Sequence, residues 1–471
     1  MTTALASATV PQGIPRGLLR FSNGVLLTAA AFCALVAAYT RLVGQPWPLT
    51  AAILVAGILS AACLRLPAVV RVNLALSALG AILALYTVEV CFTFLWSPIS
   101  AQKFRAPVAH FDTRSGLEVV ADLRSQGIDA HPSLFGRLPM VYGRNTLPSR
   151  AGEILPLGGI SDRLTVFCNE SGQYVTYRSD QFGFNNPRQV WSAGKMTIGS
   201  VGDSFTQGTC VSPGRSFVSL IQQKYPATLN LGMSGSGPLL ELAALEEYLT
   251  VVKPAIVLWF YFDANDLVDL SAERTSPLLM RYLQSDFRQD LPARQAVIDR
   301  AWLDFEQELN AEFAKRQVQA PLRPAMNWLN DVLVEHRNRS TLTRILRLRE
   351  IRARLAARFA VRTPEESQIP LLGEVLAKAR DTTRSWGGQL YFVALPGMEV
   401  LLGRNPLRVH LYRLVIQKAG SLGIPVIDAR DTLRSRDVAS LFYYPDSHYN
   451  ETGAGLVAQS VLSVLAPQLR Q

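Results

Sequence analysis

The stretch Met196-Thr-Ile-Gly-Ser-Val-Gly-Asp-Ser204-Phe-Thr-Gln-Gly208 sets the reading of the whole chain. A short apolar run ends in small residues, then a hydroxyl, and a helical pattern follows. That is the grammar of a buried strand that turns sharply into a helix and presents Ser204 at the sheet edge. A serine hydroxyl is a poor nucleophile until a base removes its proton. The rest of the chain must therefore supply that base.

Working outward, the same alternation repeats. Further strands are predicted at Thr228–Leu231, Ile256–Phe262, Gln389–Leu395 and Pro425–Asp428. Helical patterns lie between them at Phe217–Tyr225, Leu239–Thr250, Leu407–Ala419 and Thr452–Leu465. Alternating strands and helices imply an α/β fold with a parallel sheet and helices on both faces. Ligands then bind beyond the carboxyl ends of the strands.

Three of those strand ends carry chemistry in order. The second strand runs into Asn230-Leu-Gly-Met-Ser-Gly235-Ser-Gly-Pro238, where glycines let backbone N–H groups approach a ligand. The third ends in Phe262-Asp-Ala-Asn265-Asp266, which brings a neutral amide donor to the same edge. Near the C-terminus, Tyr444-Pro-Asp446-Ser-His448-Tyr-Asn450 offers an imidazole with a carboxylate two residues earlier. A nucleophile, a base, an acid to orient it and oxyanion donors are all present.

These four blocks resemble those of the SGNH, or GDSL-type, hydrolase superfamily over about residues 196–270 and 385–471. The resemblance implies a flavodoxin-like three-layer sandwich. It implies Ser204 as nucleophile, His448 as general base and then acid, and Asp446 as the group orienting the imidazole. It further implies an oxyanion hole made of the N–H of Ser204, the N–H of Gly235 and the side-chain amide of Asn265. Asp203 and Asp266 are read as structural ties between loops. Two positions depart from the family pattern. Asp263 stands where a glycine usually opens the third block, and the last block is Asp446-Ser-His448 in place of Asp-x-x-His. The shorter spacing resembles membrane-associated polysaccharide O-acetyltransferases of the alginate type.

The chain has 471 residues, with 49% apolar, 18% charged and a net charge of +10. A soluble domain carries roughly 25% charged residues, so the deficit needs a location. It lies in residues 1–100, which hold only Arg16, Arg20, Arg41, Arg65, Arg71 and Glu89 as charges. Between them run Phe21–Thr40, Leu42–Leu64 and Val72–Trp96, each near the roughly 20 residues that span a bilayer. Three transmembrane helices are expected, with a cleaved signal peptide as the alternative for the first. With the N-terminus inside, Arg16, Arg20, Arg65 and Arg71 face the cytoplasm, against Arg41, Lys103 and Arg105 outside. Residues 100–471 then lie outside. Glu89 is read as an interfacial acid at the end of the third span.

Residues 101–195 read as a small β-rich lead-in, with no evident chemistry. The domain from 196 to 471 carries a helical insertion at about 270–385. Within the insertion, 336–362 has nine arginines and an apolar stripe, read as a solvated helix packing that stripe on the domain. Cys168 and Cys210 lie in the soluble part, where an oxidising compartment would allow them to pair. The five histidines are scattered without metal-ligand spacing, and neither a metal nor a cofactor is expected.

Three functions fit these features. The first is a membrane-anchored serine esterase acting on O-acyl, chiefly acetyl, esters of an envelope or exported polysaccharide or lipid. The second is an O-acyltransferase that passes the acyl group to a glycan and needs a membrane partner as donor. The third is a non-catalytic envelope assembly protein. Nucleic acid is a poor partner for a domain held at a bilayer.

Overall fold

The computed structural model describes residues 14–42, 47–94, 112–135, 146–149, 152–318, 345, 348, 351–352, 363–444 and 447–469. The chain divides into two compact units, Met1–Leu95 with Thr341–Ile351, and Trp96–Ser340 with Arg352–Gln471.

The first unit contains the helices Arg16–Leu42, Trp47–Ala62 and Ala68–Phe94. Stretches of 23 and 24 residues, Arg16–Ala38 and Ala68–Cys91, are long and apolar enough to cross a membrane by length and composition. Two of the three expected spans thus meet that test, and the middle run is not among them over the described residues. Its α-helix has 16 residues and ends in a tighter turn at Cys63–Arg65. The first stretch lies near the N-terminus, where a signal sequence has the same character. Arg71 donates to Asn23 at 3.0 Å and so ties the outer two helices together. Glu89 is fully buried, and its carboxylate accepts the Ile351 N–H at 2.9 Å. Of the arginine-rich segment 336–362, only residues 345, 348, 351 and 352 are described.

The second unit begins with a helix at Gly116–Ser125, capped reciprocally by Ser115 and Glu118. Five short strands follow: β1 (Ala130–Pro132), β2 (Leu147–Ser149), β3 (Gly152–Ile154), β4 (Leu164–Cys168) and β5 (Val175–Arg178). They form a three-stranded sheet in the order β1-β4-β5 and a β2-β3 hairpin. The β4–β5 pair is antiparallel, with a bulge between Val166 and Cys168. Its turn, Asn169 to Gln173, becomes important below.

The main sheet comprises β6 (Ile198–Val201), β7 (Thr228–Asn230), β8 (Ile256–Phe262), β9 (Gln389–Leu395) and β10 (Val426–Asp428). Its order is β10-β9-β8-β6-β7, and every pairing is parallel. Counted from β6, this is the 2-1-3-4-5 order of flavodoxin-like folds, whose switch point falls between β6 and β8. Strand alternation builds a core on each face. Val257, Trp259 and Tyr261 of β8 join one buried cluster, while Ile256, Leu258, Phe260 and Phe262 join the other. A sheet covered on both sides needs such continuously apolar strands, and all seven residues of β8 are buried.

The helices Phe217–Lys224 and Glu451–Leu465 cover the second of those faces. On the first face lie Pro238–Ala244, Ile369–Ser385 and Pro406–Ser421. Lead-in and insertion residues such as Leu134, Ile154 and Trp302 enter the same cluster, so both additions share the core of the sheet. Trp302 donates its indole N–H to the Gly158 carbonyl at 2.9 Å.

Candidate active site

β6 ends at Val201, and Gly202 begins the turn. A Cβ at residue 202 would meet Thr206 Oγ1 at 2.1 Å, so only glycine lets the chain fold back this tightly. Asp203 then caps the one-turn helix Ser204–Gln207 by accepting the Phe205 N–H at 2.9 Å. Its other oxygen accepts Asn265 Nδ2 at 3.0 Å. One buried carboxylate thus fixes the serine turn and joins it to the loop after β8.

His448 arrives from the far end of the chain. An isolated bridge between Phe442 and Tyr449 closes its loop, and Ser447 accepts the Tyr444 N–H at 2.8 Å. Asn450 caps the last helix by accepting from Thr452 and Gly453 at 2.9 and 3.1 Å. The imidazole packs on Phe205 with 4.7 Å between ring centroids, and Phe205 stacks on Phe262 at 3.9 Å. This aromatic floor leaves the ring one edge free to meet the serine.

His448 Nε2 lies 2.8 Å from Ser204 Oγ. On the other side, Nδ1 lies 3.0 Å from Glu170 Oε1, and the backbone N–H of His448 donates to Glu170 Oε2 at 3.0 Å. An ionised carboxylate only accepts, so Nδ1 carries the hydrogen and Nε2 is left to accept from the hydroxyl. Burial alone would push the Glu170 carboxyl up. The hydrogen bond and charge of His448 outweigh it and hold the group below the usual carboxylate range. The arrangement is a nucleophile, a base and an orienting acid in series.

The sequence-predicted residues can now be placed. Ser204 and His448 are brought together, and Asn265 is joined to the serine turn through Asp203. Gly235 sits at φ +84°, in a loop that Gln207 clamps by accepting both the N–H and the hydroxyl of Ser234 at 2.7 Å. Asp446 lies outside the described residues. At Nδ1 of His448, the place expected for it, stands Glu170, which comes from the lead-in where the sequence shows no evident chemistry.

A signal for Glu170 did exist. Cys168 and Cys210 form a disulfide with Cα atoms 5.2 Å apart. A bridge from two residues before Glu170 to six residues after Ser204 brings the two loops together. Cys168, Glu170 and Cys210 also gather ligand-type atoms within 4.8 Å of one another. The sulfurs are bonded to each other, however, and offer no thiolate to a metal.

Asp203 and Asp266 behave as ties. Asp266 accepts the Phe262 N–H at 2.9 Å and turns the chain after β8. Asp263, at the usual glycine position, accepts the Gly397 N–H and joins this loop to the one after β9. Arg408 donates to the Asp263 carbonyl at 2.6 Å. These acids belong to a buried group beneath the site. Burial raises Asp203, raises Asp266 and Glu241 strongly, and brings Asp263 to about 6, Asp269 to about 7 and Glu273 to about 8.

Comparison with known proteins finds the following similarities. The lipolytic G-D-S-L protein of Veillonella parvula DSM 2008 is similar at 15% identity and a TM-score of 0.30, over 57% of this chain and 98% of that one. The lipase/acylhydrolase of Enterococcus faecalis is similar at 12% identity and 0.31, over 58% and 97%. The acetyl xylan esterase AlAXEase is similar at 10% identity and 0.32, over 57% and 100%. No curated protein matches the chain. Residues 359–471 match the family described as the SGNH hydrolase-like domain of the acetyltransferase AlgX, a span that includes His448 but not Ser204. Over residues 359–471 the chain is thus similar to an SGNH hydrolase-like domain.

Proposed function

We propose that this protein is a serine ester hydrolase acting on O-acyl, chiefly acetyl, esters of an envelope or exported glycan. The observation that carries the reading is the relay from Glu170 through His448 to Ser204, with contacts of 3.0 and 2.8 Å. Ser204 Oγ attacks the acyl carbon while His448 Nε2 takes its proton. Glu170 holds the imidazole in the required tautomer and stabilises its charged form. The oxyanion sits on the N–H groups of Ser204 and Gly235 and on the amide of Asn265. His448 then returns the proton to the leaving alcohol, and water releases the acyl group from Ser204.

Two apolar helices in the first unit support tethering to a membrane. The Cys168–Cys210 disulfide supports an oxidising, extracytoplasmic setting for the domain. In that place the available O-acyl esters are those of glycans and lipids.

A second reading is favoured by one observation, the match of residues 359–471 to the AlgX acetyltransferase domain. In that case the first half-reaction is the same, and a glycan hydroxyl takes the acyl group in place of water. A membrane protein then supplies the acyl donor. A non-catalytic assembly role is disfavoured by the intact relay. Purified protein given an acetylated oligosaccharide separates the two enzymatic readings. Free acetate without transfer to added unacetylated acceptor supports hydrolysis, and transfer without free acetate supports the acyltransferase. Neither product contradicts both.

A further inference from the structure

We infer that the Cys168–Cys210 disulfide is a positioning element of the active site, which holds Glu170 against His448 and makes turnover depend on oxidation of the bridge. The inference rests on the serine-hydrolase reading. Its basis is where the bridge lies. Glu170 occupies the tip of the β4–β5 hairpin, outside the four motif blocks, and must be carried across to a histidine 278 residues away.

The hairpin base is fastened independently of the bridge. Tyr177 OH accepts Gln207 Nε2 at 3.0 Å, and the Asn169 amide donates to the Asp112 carbonyl at 2.9 Å. The Asp112 N–H also donates to the Gly172 carbonyl at 2.8 Å, so both sides of the turn are tied to residue 112 and neither of these bonds reaches the serine loop. The disulfide joins the tip to the serine loop covalently, and the Glu170 N–H donates to Cys210 Sγ at 3.0 Å. Cys210 is itself held from the histidine loop, since its carbonyl accepts the Tyr443 hydroxyl at 2.6 Å. The loops of acid, nucleophile and base therefore meet at one sulfur pair. Cys210 is fully buried and adopts φ +62°, an unusual backbone for a side chain with a Cβ, so this segment relies on its surroundings to stay in place.

Reduction follows ordinary exchange chemistry. A dithiol gives up two hydrogens and closes to a cyclic disulfide, while Cys168 and Cys210 each gain one hydrogen as separate thiols. The turn then keeps its bonds to Asp112 but loses its covalent tie to the serine loop, and the Glu170–His448 contacts loosen. Misplacing a catalytic group by about 1 Å can cost on the order of 10² in rate. In a compartment that keeps thiols reduced, the enzyme is held nearly inactive until it reaches an oxidising one.

The test uses the full chain in detergent and the hydrolysis of an aryl acetate. Dithiothreitol should lower kcat about 10²-fold with KM little changed, and reoxidation should restore it. Replacing both cysteines, Cys168→Ser with Cys210→Ser, should give the same loss and abolish the response to the dithiol. In a Glu170→Ala background, breaking the bridge should cost nothing more, because the bridge acts through that carboxylate. Circular dichroism of the reduced native protein checks that the fold survives. Equal rates for oxidised and reduced protein, or full additivity with Glu170→Ala, would overturn the inference while leaving the hydrolase reading intact. If the oxidised protein neither turns over the ester nor reacts with a fluorophosphonate, the hydrolase reading fails and this inference with it.

Discussion

Glu170 binds His448 twice, once at ring Nδ1 and once at its backbone N–H, each at 3.0 Å. The side chain sets both the tautomer of the imidazole and the position of the loop that carries it. A carboxylate from the lead-in, far from the last motif block, thus completes the relay.

Glu170→Ala is expected to lower kcat for an aryl acetate by on the order of 10³–10⁴, as loss of the orienting acid does in a Ser-His-Asp triad. Asp446→Asn is expected to stay within about threefold of wild type, because the Nδ1 site is already taken. Steady-state kinetics of the two variants decides the matter. The reverse ranking would return the role to Asp446.

Ser204→Ala and His448→Asn should each abolish turnover to a similar degree, and the double variant should lose no more than either alone. The two groups act as a unit, so their effects do not add. Additive losses would mean that another base serves Ser204. Thermal unfolding should be nearly unchanged in all three variants.

Asn265→Ala is expected to cost about 10²–10³ in kcat if its amide serves the oxyanion. Asp203→Ala should also lower kcat, since it frees the Asn265 amide and the Phe205 N–H together. Loss of that cap should further destabilise the protein by roughly 1 kcal/mol. A normal kcat for Asn265→Ala would remove this residue from the site.

The raised acids should make stability fall as pH rises. Asp269 is raised to about 7, first by burial and then by the nearby charge of Asp203. A carboxyl whose folded pKa exceeds its unfolded value favours the fold fully below the unfolded value. That contribution is lost as pH climbs through the folded one. Asp269→Asn should therefore gain Tm relative to wild type between pH 5 and pH 9. A gap in Tm that does not change with pH would contradict this account of the acid group.

The sheet was legible because its strands are short apolar runs separated by helical periods. Each strand of the main sheet lies within a stretch anticipated from those runs. Ser204 and His448 were legible for a related reason, since strand ends in an α/β sheet collect at one edge and the residue types there are distinctive. Glu170 was not. An isolated glutamate in an Asn-Glu-Ser-Gly turn carries no periodicity, and its role arises from a bulged hairpin and a disulfide, both tertiary features. Asp263 likewise stands outside the family pattern because its partner, the Gly397 N–H, comes from another strand end. The middle apolar run of the first unit is a third case. Counting uncharged residues measures how long an apolar stretch is, whereas the α-helix described within it has 16 residues.

If the His448–Glu170 pair activates Ser204 as a nucleophile, a fluorophosphonate should label that hydroxyl selectively. Intact-mass analysis followed by peptide mapping should find a single adduct on Ser204, formed far more slowly in Glu170→Ala and absent in Ser204→Ala. An adduct elsewhere, or none on Ser204 in the oxidised wild-type protein, would rule out Ser204 as the activated nucleophile.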